Sequence, residues 1–233
     1  MKWNSRLMET WEWNAPIVNE KQKQKVASRV ASFVKEGDVI GVGSGSTSYM
    51  ALQAIARRVK EEHLNIQAIP TSQEMMLFCI QAEIPVTTLE VQIPDWSFDG
   101  ADEVDPDHNL IKGRGGAMFK EKLMILASPR TYIMVDRSKI VSTLGLNFPV
   151  PVEVFPSAIR VVEREMEYLS PSSVHLRTGN GKDGPVITEN GNLILDVWFR
   201  DIPISLEKDI KAIPGVVESG LFMGYKNIGI VHD

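Results

Sequence analysis

The stretch from Asp99 to Lys122, DGADEVDPDHNLIKGRGGAMFKEK, constrains the chain more than any other, because it crowds carboxylates, lysines and glycines beyond what solubility requires. The residues before it, Ile93-Pro94-Asp95-Trp96-Ser97-Phe98, read as a short apolar strand. That puts Asp99 at a strand's carboxyl end, where open α/β sheets hold their ligands, with Asp102 in the turn beyond. Gly113, Gly115 and Gly116 then lead into AMFKEKLMILAS, whose length and apolar content predict a helix with Glu121 and Lys122 in its early turns. Asp99, Asp102, Glu121 and Lys112 are thereby expected to share one small volume. Such a set suits proton transfer: one carboxylate takes a proton from carbon, another handles a hydroxyl proton, and the lysine steadies the oxyanion. That chemistry needs no cofactor and no metal. Asp105 and Asp107 read instead as solvated acids around a Pro106 turn.

These residues resemble the signature of ribose-5-phosphate isomerase type A, approximately DGADEVDxxxNLIKGGGGAxxxEK. The resemblance implies that Glu121 is the catalytic base, that Asp99 and Asp102 bind the sugar and assist ring opening or hydroxyl proton transfer, and that Lys112 holds the reacting oxygens. Gly113, Arg114, Gly115 and Gly116 would line the substrate. Arg114 departs from the pattern, standing where the family has glycine, and it bears on which sugar fits.

At 43% apolar residues, 233 positions can support one large domain or a domain with a smaller attachment. A net charge of -5 leaves no basic footprint for nucleic acid, so an anionic ligand must be met by local donors. Cys79 has no partner for a disulfide, no long uncharged apolar run offers a membrane span, and the four histidines show no metal-ligand spacing. The expected setting is cytoplasmic, with no membrane partner.

The first nineteen residues read as an extension in which Trp3, Trp11 and Trp13 pack either on their own domain or on a neighbouring subunit. Glu20 to Lys35 reads as a basic helix with Val26, Val30, Phe33 and Val34 on its apolar side. By resemblance one of its lysines, Lys23 or a neighbour (Lys21, Lys25), lies near a phosphate. Next, DVIGVGSGSTSYMALQAIARRV runs from apolar strand through a glycine-rich turn into a helix. Gly43, Ser44, Gly45, Ser46 and Thr47 there can wrap an anion with backbone amides and hydroxyls. The loop resembles the family's GxGTGST, with Ser44 in place of threonine. It lacks the third glycine of a dinucleotide fingerprint, and no Walker Gly-Lys-Ser/Thr follows. A second strand, Ile66 to Pro70, ends in Thr71-Ser72, which resembles another family contact to the sugar phosphate, and a later one, Tyr132 to Val135, ends in Asp136 and a turn with Lys139, which the resemblance puts near the site.

Up to there, alternating strands and helices predict a Rossmann-like, mostly parallel sheet with helices on both faces. From Phe148 the order becomes strand, helix Ser157 to Tyr168, strand Val174 to Arg177, strands Val186 to Thr188 and Leu193 to Phe199, helix Leu206 to Ile213, and strand Val216 to Phe222. That is approximately a β-α-β-β-α-β, ferredoxin-like unit. The expected organisation is an extension over 1-19, a catalytic α/β domain over 20-147 and 223-233, and a small α+β lid or oligomer-contact domain over 148-222. Its segments PVPVEVFPSAI, TENGNLILD and IPGVVESGLF resemble the same family in the same order. The resemblance implies a metal-independent interconversion of D-ribose 5-phosphate and D-ribulose 5-phosphate through an enediolate, in the non-oxidative pentose phosphate branch, by a homodimer or homotetramer. Two alternatives stay open: the same chemistry on another sugar phosphate, and a sugar-phosphate-sensing module without turnover.

Overall fold

The computed structural model describes residues 10–233. A five-stranded, all-parallel sheet forms the centre, from β1 (Val39–Val42), β2 (Gln67–Pro70), β3 (Trp96–Gly100), β6 (Thr131–Val135) and β12 (Ile228–His232), in the order β12-β6-β3-β1-β2. The chain winds outward from β1 in one direction and from β3 in the other, so the topological switch lies between these two strands. Their carboxyl ends carry the glycine-rich turn and Asp99, the crevice where such sheets bind ligands.

Helices α1 (Glu20–Ala31) and α2 (Ser46–Glu62) cover one face, joined by α3 (Gln73–Gln81) beside β2, and α4 (Met118–Ala127) covers the other. In α1 the spacing of Val26, Ala27 and Val30 puts one stripe into the core. The helix stops at Ala31, four residues before the sequence expectation, and Arg58 of α2 donates to the carbonyls of Ala31 (2.6 Å) and Val34 (3.2 Å) in the turn that follows. The arm packs on its own chain: Trp11 stacks on Phe78 at 4.0 Å between centroids, and Trp13 on Tyr49 at 5.2 Å. Each such pair contributes about 0.5–1.5 kcal/mol beyond its buried area. Trp3 lies outside the described residues.

The second sheet is antiparallel, ordered β10-β7-β9-β8 from β7 (Val150–Val154), β8 (Ser173–Leu176), β9 (Leu193–Trp198) and β10 (Val216–Ser219), with α5 (Ile159–Glu167) and α6 (Leu206–Lys211) as its crossovers. This is the strand order of a split β-α-β-β-α-β unit. Two expectations are corrected. Val186 to Thr188 makes no strand, only an isolated bridge from Ile187 to Leu193, because Thr188 and its neighbours fold around the buried Glu153 carboxylate. The expected strand Val216 to Phe222 breaks at Gly220, and its end, β11 (Leu221–Phe222), joins a third sheet with β4 (Glu103–Val104) and β5 (Leu110–Ile111). A Cβ at Gly220 would stand 2.1 Å from the Lys112 carbonyl, so only glycine lets the sheets meet there. Asp105 is also more than a solvated acid: it accepts from the amides of Asp107 and Asn109 and shapes the β4–β5 turn. Among the described residues no helix is long and apolar enough to cross a membrane.

Candidate active site

Four segments meet at the switch point. Strand β3 delivers Asp99, β5 runs into Lys112, α4 presents Glu121 from its first turn, and the turn after β1 enters α2. The Lys112 ammonium lies 2.8 Å from Asp99 Oδ2 and 3.2 Å from Glu121 Oε2, and it donates to the Gly100 carbonyl at 2.6 Å. All three residues are buried, at 3%, 3% and 5% exposure for Lys112, Asp99 and Glu121. Asp99 Oδ1 is further held by the amides of Gly100 (2.7 Å) and Ser44 (3.2 Å) and by the Ser48 hydroxyl (3.4 Å). Glu121 Oε2 faces the ammonium at an angle that makes no hydrogen bond, and it has no other partner. Both carboxyls share one ammonium, so ionising both leaves a buried surplus of negative charge.

Burial, and next the Asp99 charge, push the Glu121 carboxyl up to about 8, with Lys112 opposing. Burial raises Asp99 as well, against Lys112 and two backbone amides. Burial alone would lower Lys112, but Asp99 and Glu121 outweigh it and hold the ammonium above its ordinary value. Backbone amides favour the ionised form of Asp99 alone, whereas Glu121 has only the ammonium that it shares with Asp99.

The centre opens into a cleft of about 440 Å³. At its other end Gly45 begins α2 without a side chain to cap the first-turn amides, which leaves a helix N-terminus facing the cleft. Ser46 and Thr47 line it. Lys23 donates to Ser46 Oγ at 2.8 Å, whereas Lys21 and Lys25 are exposed, so the register question falls to Lys23. Lys23 shares its helix stripe with Val26, Ala27 and Val30, a signal the helical spacing contained. Burial, with the nearby Lys139 and Arg114 charges against the pull of Asp136, holds its ammonium below the ordinary value. Lys23, Lys139 and Arg114 thus form a cationic group on this cleft.

Two expected contacts have other tasks. Gly43 spends its amide on the Phe98 carbonyl at 2.8 Å, and a Cβ there would stand 2.2 Å from Asp99 Cγ, so its bareness makes room for Asp99. Gly116 donates to the Gly113 carbonyl and lies buried against Ile194. Asp102, Gly113, Arg114 and Gly115 all line the cleft, and Asp102 accepts from the Arg114 amide at 3.1 Å. Thr71, noted at the end of the second strand, meets Ser44 Oγ with its hydroxyl at 2.9 Å, and a residue the sequence reading left out is Asn19, which spans to Asp136 at 3.1 Å. Among the described residues no group of His, Cys, Asp and Glu could hold a metal ion.

An open parallel sheet whose switch point joins an anion cradle to a buried carboxylate–lysine–carboxylate centre is the build of an α/β enzyme for proton transfer on a small anionic substrate. Residues 67–233 match the family model of ribose 5-phosphate isomerase A (phosphoriboisomerase A). The ribose-5-phosphate isomerase A of Methanocaldococcus jannaschii is 47% identical over 206 residues, 88% of this chain and 91% of its own, and that of Thermosynechococcus vestitus is 44% identical over 91% of each. The chain belongs to the ribose 5-phosphate isomerase A family. The solved M. jannaschii structure superposes with a TM-score of 0.87 over 91% of this chain and 95% of that one, at 44% identity. A D-ribose-5-phosphate isomerase in complex with phospho-erythronic acid superposes at 0.86, with 36% identity over 92% and 96% of the two chains.

Proposed function

We propose that this chain interconverts D-ribose 5-phosphate and D-ribulose 5-phosphate through an enediolate. The observation that carries the reading is Glu121 Oε2, a buried carboxylate oxygen without a hydrogen bond, 3.2 Å from an ammonium that Asp99 fixes in place. The phosphate binds at the α2 N-terminus, on the amides and hydroxyls of Ser46 and Thr47, with Lys23, Lys139 and Arg114 around it. Binding energy from that remote group holds the sugar carbons over Glu121, so proton abstraction becomes an intramolecular step.

Glu121 takes the proton from C2, and the electron pair moves into the C1–C2 bond as negative charge develops on O1. Lys112, kept charged by Asp99, stabilises that oxygen. Asp102, half-buried beside the open cleft, assists ring opening and passes the hydroxyl proton from O2 to O1. Glu121 then returns its proton to C1. No charge accumulates outside the centre, because every proton removed is given back.

The proposal extends to organisation. A catalytic α/β unit over 20-147 and 223-233 carries a smaller unit over 148-222, supported by its own antiparallel sheet and core. The exposed Leu123 and Leu126 on α4 support a homodimer or homotetramer, which sedimentation would resolve. A cytoplasmic setting accords with the free, buried Cys79. The test is turnover across phosphorylated pentoses and hexoses: preferred interconversion of the ribose and ribulose 5-phosphates is expected. Binding of these sugars without interconversion would leave a sensing module instead.

A further inference from the structure

Arg177 stands at the end of β8, in the smaller unit, yet its guanidinium reaches across to the loop after Lys112. Its Nη1 donates to the carbonyls of both Gly113 (2.9 Å) and Arg114 (2.8 Å), while Nε donates to Asp196 Oδ2 at 2.9 Å and Nη2 pairs with Asp196 Oδ1. The side chain is 13% exposed, so the fork is fixed by its surroundings.

In a planar trans peptide the N–H points opposite to the C=O. With two successive carbonyls converging on one nitrogen, the amides of Arg114 and Gly115 are directed away from Arg177. The first observation agrees, since the Arg114 amide meets Asp102, a cleft residue, at 3.1 Å. The Gly115 amide is turned to the same side, and Gly115 lines the cleft. A Cβ at Gly115 would meet no protein atom within 4 Å, so packing does not demand glycine there. Its bareness leaves backbone open to a ligand. Gly113, at φ +98°, supplies the turn that sets both peptides.

We propose that Arg177, held by Asp196, is a positioning residue for the reaction, orienting the Gly115 N–H as a second donor to the oxygen that Lys112 stabilises. The inference rests on the isomerase reading above. It makes the smaller unit part of the catalytic apparatus, since a group outside the parallel sheet sets an amide inside the cleft.

The test pairs Arg177→Met with Asp196→Leu, so that no buried carboxylate is orphaned. Loss of one preorganised oxyanion donor predicts a fall in kcat of about 10²-fold, with KM little changed because the phosphate end is untouched. Arg177→Lys should fall between, since an ammonium cannot grip two carbonyls and a carboxylate in one plane. A folded double variant with native kcat, or a loss expressed in KM alone, overturns the inference. If the double variant does not fold, the amide resonance of Gly115 in the native protein decides: saturation with a phosphorylated four-carbon aldonic acid should shift it together with that of Ser46. A shift at Ser46 with none at Gly115 overturns the inference. Native protein in the same assays separates the two claims, because absent native turnover removes the isomerase reading, whereas native turnover undiminished in the double variant removes only the role of Arg177.

Discussion

Two buried lysines ten positions apart are built from the same parts. Lys112 contacts Asp99, Glu121 and the Gly100 carbonyl; Lys122 contacts Glu207 (2.7 Å), Glu218 (2.9 Å) and the Ser219 carbonyl (3.1 Å). Both lie over the Phe222 ring, at 5.8 and 4.8 Å. Around Lys122 every carboxylate oxygen is matched: Glu207 also accepts from Tyr225 and the Met223 amide, and Glu218 from the Ser219 amide and Lys211. Burial alone would raise Glu218, but Lys122 and these donors hold it below its ordinary value. Around Lys112 one buried oxygen, Glu121 Oε2, is left without a hydrogen bond, and its carboxyl is pushed up to about 8. The satisfied cluster joins helix to sheet; the unsatisfied one fits the proton transfer proposed for it.

Deleting the base gives the largest contrast. Glu121→Gln should lower kcat by ~10²–10⁴-fold or more, while thermal unfolding near neutral pH changes little, because a carboxyl pushed up to about 8 is already mostly uncharged there. A variant that loses its fold would place Glu121 with the structural cluster. The two carboxyls should also respond oppositely to pH. Glu121 is raised, so its base form is depleted as pH falls below about 8, and kcat/KM should drop about tenfold per unit there. Its stability contribution is full below the ordinary 4.5 and is lost as pH rises through about 8. Glu218 is lowered, so its contribution is present above 4.5 and is lost as pH falls through its folded value. Carboxyl-carbon NMR titration reads both; a Glu121 that titrates no higher than Glu218 would erase the distinction.

Lys122→Met tests the other cluster. It strands Glu207 and Glu218, so a loss of about 3–5 kcal/mol is expected in denaturant unfolding, with kcat retained by the folded fraction. A fully folded variant as inactive as Glu121→Gln would contradict that division. The smallest effect is expected at Arg114→Gly, a few-fold change in KM or sugar preference with stability unchanged, because the exposed side chain adds one cation to an existing group. Unchanged kinetics on every sugar phosphate would make Arg114 a surface charge.

The grouping of Asp99, Lys112 and Glu121 was legible in the sequence, and the grouping around Lys122 was not. Asp99, Lys112 and Glu121 stood out because carboxylates and lysine beside glycines have few non-chemical explanations, and strand-helix alternation predicted the parallel sheet. The partners of Lys122 lie 85 and 96 residues away, and no local pattern announces them. Nor could spacing show that Gly220 breaks a strand between two sheets, since the reason is the Lys112 carbonyl beside it. Strands β4 and β5, two residues each, are too short to carry a period.

The central claim, that Glu121 moves a carbon-bound proton, is tested most directly by solvent exchange. In D₂O the native protein should introduce deuterium at C2 of ribose 5-phosphate and C1 of ribulose 5-phosphate, and Glu121→Gln, folded and still binding a phosphorylated four-carbon aldonic acid, should introduce none. Undiminished exchange by that variant would contradict the account.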